Sequence, residues 1–210
     1  LVSSSAASDV YKRQVFCTDY RNPVVFAKEL ATLDVLSGGR LEVGLGCGWL
    51  ENEYEAIGIP FDRAGVRIDR MVETIGLLRA HFGEGLVDVD GTHVHAHGFE
   101  GVPKPTTAGG PPLMIGGGSK RVLGIAGREA DIVSLNFDNR GGTLGAASVA
   151  SGTGEQTRQK LDWIRAGAGD RFGDLELEIA AYFAVVTDDP AAAAGALAAR
   201  FGAEPVSYTH

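Results

Sequence analysis

The stretch from Leu36 to Glu53, which reads LSGGRLEVGLGCGWLENE, decides the fold. Its first glycines follow a helical pattern and predict the end of that helix, and the run from Leu41 to Leu45 predicts a strand. The strand leads directly into the turn from Gly46 to Gly48. Such a turn can hold a cofactor phosphate, give a flat ligand a surface to lie on, or simply redirect the chain. The stretch alone leaves all three open.

The composition indicates one globular domain and limits the partners. The chain has 210 residues, 44% hydrophobic and 22% charged, enough to bury a sizeable core. A net charge of -8 and a pI near 5.1 argue against nucleic acid as a partner, because binding a phosphate backbone needs clustered Lys and Arg. No apolar run approaches the roughly 20 residues that span a bilayer, so we expect no membrane partner. Cys17 and Cys47 lie far apart in sequence and predict free thiols in a reducing compartment, hence a cytoplasmic protein.

Both ends depart from the pattern beside them. The chain starts LVSSSAASDVYKRQ without Met and finishes PVSYTH, and both strings resemble adapter read-through in sequencing. We therefore expect residues 1–14 and 205–210 to be non-native flanks, and residues 15–204 to be a partial domain.

Strand-like runs alternate with helical patterns along the rest of the chain. Strands are predicted at 15–18, 41–45, 112–115, 131–135 and 175–186, helices at 22–36, 64–82, 119–127, 155–166 and 190–201, a hairpin at 86–97 and a mobile loop at 136–154. We expect Asp62 to cap the helix at 64–82, and we interpret the charged residues of that helix, Arg67 among them, as an outer face without a function. The alternation predicts a parallel α/β fold, but five strands are fewer than the eight of a complete (β/α)8 barrel, which takes about 250 residues.

Four segments carry a family resemblance. They are NPVVFAKELATLDVLSGGR at 22–40, VGLGCGW at 43–49 followed by Glu53, PPLMIGGGSK at 111–120 and AGREAD at 126–131. Together they resemble the luciferase-like monooxygenase superfamily, and most of all its actinobacterial branch that uses a deazaflavin, coenzyme F420. The resemblance implies a (β/α)8 TIM barrel present only in part, about strands 3 to 7. It also implies hydride transfer or monooxygenation of a small-molecule substrate at bound coenzyme F420, with FMN as the alternative, and homo-oligomers for the intact relatives.

The resemblance suggests an answer to the question that the Gly-rich turn raises. Gly44, Gly46 and Gly48 would form a platform, because residues without side chains let a flat ring system approach the backbone. The phosphate is expected at the second glycine cluster, from Gly116 to Ser119, since it joins a strand to a helix and helix N-termini bind anions. Ser119 can equally serve as a plain helix cap, and Lys120 as a phosphate ligand or a surface lysine.

Further cofactor contacts follow from the resemblance alone. The position of Asn52 contacts the deazaflavin in relatives, and the position of Trp49 can carry a catalytic acid there, so the Trp found here leaves the catalytic residue unknown. Cys17 and Thr18 would lie near the ring face or simply pack at a strand end. The candidate cofactor-binding residues are Cys17, Thr18, Gly46, Cys47, Gly48, Trp49, Asn52, Gly117, Gly118 and Ser119.

Two other features have a plainer interpretation. His93, His95 and His97 alternate on a hairpin strand and could bind a metal, but a solvated face is favoured and we expect no metal site. Relatives place an important histidine near the ends of their first two strands, which this chain is expected to lack. The alternative function is therefore a catalytically silent fragment or a cofactor-binding module.

Overall fold

Seven strands and seven helices make up the computed structural model, which describes residues 11–139, 141–142, 146–179 and 186–201. The strands are β1 Tyr11–Cys17, β2 Leu41–Gly46, β3 Leu86–Asp90, β4 His95–Glu100, β5 Leu113–Gly117, β6 Ile132–Leu135 and β7 Glu176–Ile179. The helices are α1 Pro23–Ser37, α2 Glu51–Ile57, α3 Ala64–Phe82, α4 Lys120–Glu129, α5 Ala146–Ala150, α6 Gly154–Ala168 and α7 Pro190–Phe201. Short 3-10 turns lie at Thr18–Tyr20 and Gly169–Asp174.

Five of the strands form one parallel sheet in the order β1-β2-β5-β6-β7, and β3 and β4 form a separate antiparallel hairpin. The register pairs Cys17 with Gly46 and Gly117 with Leu135. The carboxyl ends of neighbouring strands are therefore level, and the loops that follow them meet at one edge of the sheet. The two glycine clusters of the sequence both lie at this edge.

The core lies between the sheet and helices α1, α3 and α4. Leu30, Val43, Met71 and Leu123 are fully buried in it, and burying each such side chain stabilises the fold by about 1.5–3 kcal/mol. Among the described residues, no helix is long and apolar enough to cross a membrane.

The predicted parallel α/β arrangement is confirmed. All five predicted strands are present, the hairpin is present, and α3 has the predicted bounds because its apolar periodicity is unbroken. The first strand begins at Tyr11 rather than at residue 15, so four residues assigned to the flank lie in a strand. The last strand ends at Ile179 in the described part, and residues 180–185, 1–10 and 205–210 lie outside the described residues. That the two flanks are non-native stays a prediction.

Several local expectations were wrong. Asp62 does not cap α3: Arg63 holds the N-cap position without a side-chain bond, and the Asp62 carboxylate instead accepts from Arg70 at 2.6 Å. Helix α2 was not predicted, since Tyr54 is its only buried residue and gives no periodicity. The predicted loop at 136–154 contains α5.

The predicted solvated histidine face is confirmed for two of its three histidines, whereas His93 precedes β4 and is half-buried. His95 and His97 are exposed, and the His95 ring lies 3.2 Å from the Asp90 carboxylate. No group of three metal-ligating side chains occurs in the part of the chain that the structure describes.

Candidate functional site

A cavity of about 690 Å³ opens at the carboxyl edge of the sheet. Four segments that end or follow strands form its walls, namely Val15–Cys17, Gly46–Trp49, Gly116–Ser119 and Asn136–Asn139, and α3 adds Arg67. Ligands of parallel α/β folds bind at the carboxyl ends of the strands, where the loops can carry varied side chains. The location is therefore the one expected for a binding site in this kind of fold.

The structure brings together most of the candidate residues predicted from sequence. All of them except Thr18 and Asn52 lie on the cavity wall. Thr18 is only 2% exposed, and its hydroxyl donates to the Gly46 carbonyl at 3.3 Å, which is the strand-end packing alternative. Asn52 is exposed on α2 and does not line the cavity. Lys120 is also exposed and outside it.

The glycines on the wall have a packing reason that the sequence does not reveal. A Cβ at Gly46 would overlap Val15, and a Cβ at Gly117 would overlap Val122. A Cβ at Gly118 would overlap the carbonyl of Phe137. These glycines are required because the protein's own atoms approach so closely, whether or not a flat ring also lies against the backbone.

Gly48 has the most demanding position of these glycines. Its φ is 69°, in the left-handed region that favours glycine. A Cβ there would overlap the Tyr54 hydroxyl and lie 2.9 Å from the Cys17 sulfur. The turn after β2 therefore depends on glycine for both its backbone and its contact with α2.

A buried polar network packs against the turn that follows β2. Tyr54 is fully buried, and its hydroxyl donates to the Asp19 carboxylate at 3.0 Å and lies 3.2 Å from the Cys17 sulfur. Because the single hydroxyl proton goes to the carboxylate, the Cys17 thiol is the donor to Tyr54. The Asp19 side chain is fully buried and pairs with Arg70 at 2.8 Å. The network links β1, the 3-10 turn that follows it, α2 and α3, and it fixes the thiol at the cavity wall.

Both thiols at the cavity are protonated near neutral pH. Burial raises the pKa of Cys17 and the pKa of Cys47 above the ordinary value for a thiol. Burial also raises the pKa of Tyr20 to about 12, and the Tyr20 hydroxyl donates to Glu53 at 3.3 Å on the wall. A thiol is a weak nucleophile unless ionised, so the cysteines serve here as neutral wall residues.

Arg67 is a cavity residue that the sequence interpretation missed. It is 5% exposed and lines the cavity, which contradicts its assignment to the outer face of α3. Its guanidinium donates to the carbonyls of Cys47 at 3.3 Å and Asp62 at 2.5 Å and lies 3.9 Å from the centre of the Phe61 ring. Among the described residues, no carboxylate lies within 4.0 Å of it. The sequence signal was present, because Arg67 is four residues before the buried Met71 and so falls on the apolar stripe.

The start of α4 provides a second polar element on the wall. Ser119 holds the predicted N-cap position, but its side chain makes no capping bond, so the plain-cap interpretation does not apply. The first N–H groups of an α-helix have no acceptor within the helix and carry partial positive charge. The cavity therefore has anion-attracting groups on α3 and at the start of α4.

The comparisons with known proteins agree with this geometry. The family model "Luciferase-like monooxygenase" matches residues 16–208. The chain is 31% identical over 110 residues to an FMNH(2)-dependent dimethylsulfone monooxygenase of Pseudomonas putida, covering 52% of this chain and 30% of that protein. It is also 31% identical over 110 residues to an F420-dependent glucose-6-phosphate dehydrogenase of Kineococcus radiotolerans, covering 52% of this chain and 32% of the relative.

The fold agrees as well. A solved F420-dependent secondary alcohol dehydrogenase in complex with an F420-acetone adduct superposes with a TM-score of 0.64 at 21% identity, over 89% of this chain and 52% of that one. The chain thus spans about a third of the length of the two curated relatives, and its parallel sheet matches part of the barrel of such enzymes. With the family model covering most of its length, the chain belongs to the luciferase-like monooxygenase family.

Proposed function

We propose that the protein binds a phosphate-bearing flavin-type cofactor in this cavity, coenzyme F420 first and FMN as the alternative, and serves an oxidoreductase reaction on a small-molecule substrate. The observation that carries the proposal is the buried Arg67, which has no carboxylate partner among the described residues. A buried charge without a counter-ion is costly. An anionic group of a ligand would supply the counter-ion.

The start of α4 fits the same group. Gly118 and Ser119 line the cavity at the start of α4, where N–H groups and a hydroxyl without a capping role are available to phosphate oxygens. The volume lies within the range of about 300–1,000 Å³ that is common for cofactor and ligand pockets. Arg67 and Ser119 would hold the phosphate, and the Gly46–Trp49 turn with Cys17 would lie along the ring.

The chain's own residues would position the cofactor and exclude water from it. When bound, a reduced flavin or deazaflavin supplies a hydride, and a reduced flavin can also react with oxygen. The protonated thiols of Cys17 and Cys47 would add no charge to the wall beside the ring. Trp49 carries no acid, so we assign no catalytic acid or base. The similar proteins include an FMNH(2)-dependent enzyme and F420-dependent enzymes, which supports both cofactors. Coenzyme F420 is placed first because the sequence segments most resemble the deazaflavin-dependent branch of the family.

The second candidate is a binding module without turnover. Within the described part, β1 and β7 each pair with one neighbour and so leave one edge of the sheet unpaired at each side. A closed barrel has no such edges. The homo-oligomeric state of intact relatives, the cytoplasmic location and the absence of a nucleic-acid partner stay predictions.

Titration of the 210-residue protein with coenzyme F420 and with FMN, followed by cofactor fluorescence, tests the proposal. We expect binding of at least one cofactor, and Arg67→Met should weaken it about 10- to 100-fold, the usual loss for hydrogen bonds to a charged group. Ser119→Ala provides a second variant that leaves Arg67 in place. Arg121→Met is the matched control, since Arg121 lies on α4 in an exposed pair with Asp69.

The outcomes separate the candidates. Absence of binding, or equal affinities of wild type and Arg67→Met, would contradict the proposal. Binding that depends on Arg67 without oxidation or reduction of small alcohols, aldehydes or thioethers would favour the binding module.

A further inference from the structure

The ammonium group of Lys160 is buried behind the cavity wall. Lys160 lies on α6, is 3% exposed and does not line the cavity. Its Nζ donates to the carbonyls of Asn136 and Ser151, both at 2.7 Å. Within the described residues no carboxylate lies within 4.0 Å of it, so two backbone carbonyls are its main partners. Burial lowers the pKa of Lys160, an effect that Asp138 opposes.

The two carbonyls lie on either side of helix α5, in the segment that joins β6 to α6. The first residues of this segment, Asn136–Asn139, form a wall of the cavity. Ser151 closes the other end: its hydroxyl accepts from the Asp138 N–H at 2.7 Å and donates to the Ser148 carbonyl at 2.5 Å. Lys160 and Ser151 thus connect the wall formed by Asn136–Asn139 to α6 through hydrogen bonds.

The same wall touches the proposed phosphate turn. The Asn136 N–H donates to the Gly117 carbonyl at 2.9 Å, and a Cβ at Gly118 would overlap the Phe137 carbonyl. Any displacement of residues 136–139 would therefore reach Gly117–Ser119, where the proposed function places the phosphate.

Burial of the Lys160 ammonium group costs free energy because the charge loses its hydration. An apolar side chain of similar size would pack without desolvation of an ammonium, but it would hold neither carbonyl. Charge-assisted hydrogen bonds are stronger and more directional than neutral ones, so the lysine restricts the segment on both sides of α5 at once.

We propose that Lys160 is a positioning residue of the cofactor site: it holds the Asn136–Asn139 wall against the Gly117–Ser119 turn and so sets cofactor affinity without contacting the cofactor. The inference rests on the proposed function for the identity of the ligand. The arrangement of the wall itself does not depend on it.

Two measurements on Lys160→Met test this. Hydrogen exchange of the cofactor-free protein should be faster at residues 136–139. The Kd for FMN or coenzyme F420 should rise about tenfold, because a smaller fraction of the protein then has the wall in its binding position. Ser151→Ala loosens the same segment from its other end and should shift both in the same direction, which covers the case of a Lys160→Met protein that does not fold.

The control is Ile164→Val, a fully buried position one turn further along α6. This variant should lower the melting temperature but leave the exchange at 136–139 and the Kd unchanged. If Lys160→Met lowers the melting temperature but leaves the exchange at residues 136–139 and the Kd unchanged, Lys160 is merely structural and the inference is overturned. If no variant and no wild type binds a cofactor, the proposed function fails, whereas unchanged exchange in Lys160→Met would overturn the positioning role on its own.

Discussion

Replacement of Gly48 by Ala should destabilise the protein for two separable reasons. Its φ of 69° lies in the left-handed region, where a side chain costs about 1–2 kcal/mol. The added Cβ also overlaps the buried Tyr54 hydroxyl, and overpacking of a buried site costs about 1–3 kcal/mol. We expect Gly48→Ala to lower the free energy of unfolding by about 2–5 kcal/mol.

Tyr54→Phe separates the two contributions. The substitution removes the hydroxyl that the new Cβ meets first, although the ring carbon behind it lies 2.8 Å from the Cβ position. It also removes the hydrogen bond to Asp19, at a cost of about 1–3 kcal/mol. The double variant should therefore lose less than the sum of the two single losses, by about 1 kcal/mol, within the usual range for residues in contact.

Gly58→Ala is the matched control. Gly58 ends α2 with a φ of 71°, but no atom lies within 4 Å of its Cβ position. It should show the backbone cost alone and add normally to Tyr54→Phe. Urea unfolding monitored by circular dichroism gives each free energy by linear extrapolation. Strict additivity of Gly48→Ala and Tyr54→Phe, to within about 0.5 kcal/mol, would refute the contact between Gly48 and Tyr54 as the reason for this glycine.

Two further predictions concern the hairpin and its contact with α3. His81 is fully buried, neither ring nitrogen makes a hydrogen bond of standard geometry, and burial lowers its pKa against the opposing effect of the Pro103 carbonyl. As the pH falls, His81 is therefore protonated in the unfolded chain before it is protonated in the folded protein, so the free energy of unfolding should fall below about pH 6.5. His81→Phe should reduce the difference in unfolding free energy between pH 7.5 and pH 5.5. An unchanged difference would argue against this role of His81. The Glu73 carboxylate accepts from the N–H groups of Thr92, His93 and Val94 at 3.1, 2.7 and 2.9 Å. Burial would raise its pKa, but these bonds together lower it, so the stabilisation is present above the unfolded pKa of about 4.3 and is lost as the pH falls through the lower folded value. Glu73→Gln should cost about 1–3 kcal/mol at pH 7 and speed hydrogen exchange at residues 92–94, whereas wild-type exchange there would show that the turn does not depend on Glu73.

The sheet could be predicted because the strands and long helices bury most of their apolar side chains, and these side chains therefore recur at regular spacing in the sequence. Helix α3 illustrates this, since Met71, Ile75 and Leu78 repeat at helical spacing. The start of β1 was missed because its first residues, YKRQ, belong to the N-terminal string that was set aside as a non-native flank. Helix α2 was missed because it packs through one buried residue, Tyr54, rather than through an apolar stripe.

The site was predicted in outline because strand ends in a parallel sheet converge wherever the register aligns them. The side chains that support it could not be predicted in the same way. The bond between Tyr54 and Asp19 joins residues 35 positions apart and depends on the pairing of β1 with β2. Arg67 was interpreted as a surface charge because charged residues are mostly exposed, although its spacing from Met71 already placed it inward.

The central claim is that Arg67 and the start of α4 bind a phosphate group in the cavity. Its most direct test compares the affinity of the wild type for FMN and for riboflavin, which differ by the phosphate, with the same pair of affinities in Arg67→Met. The same comparison can be made with coenzyme F420 and its phosphate-free deazaflavin core. We expect the phosphate-bearing ligand to bind more tightly to the wild type, and most of that preference to disappear in Arg67→Met. A preference of equal size in both proteins, or no binding of any of these ligands to the wild type, would contradict the claim.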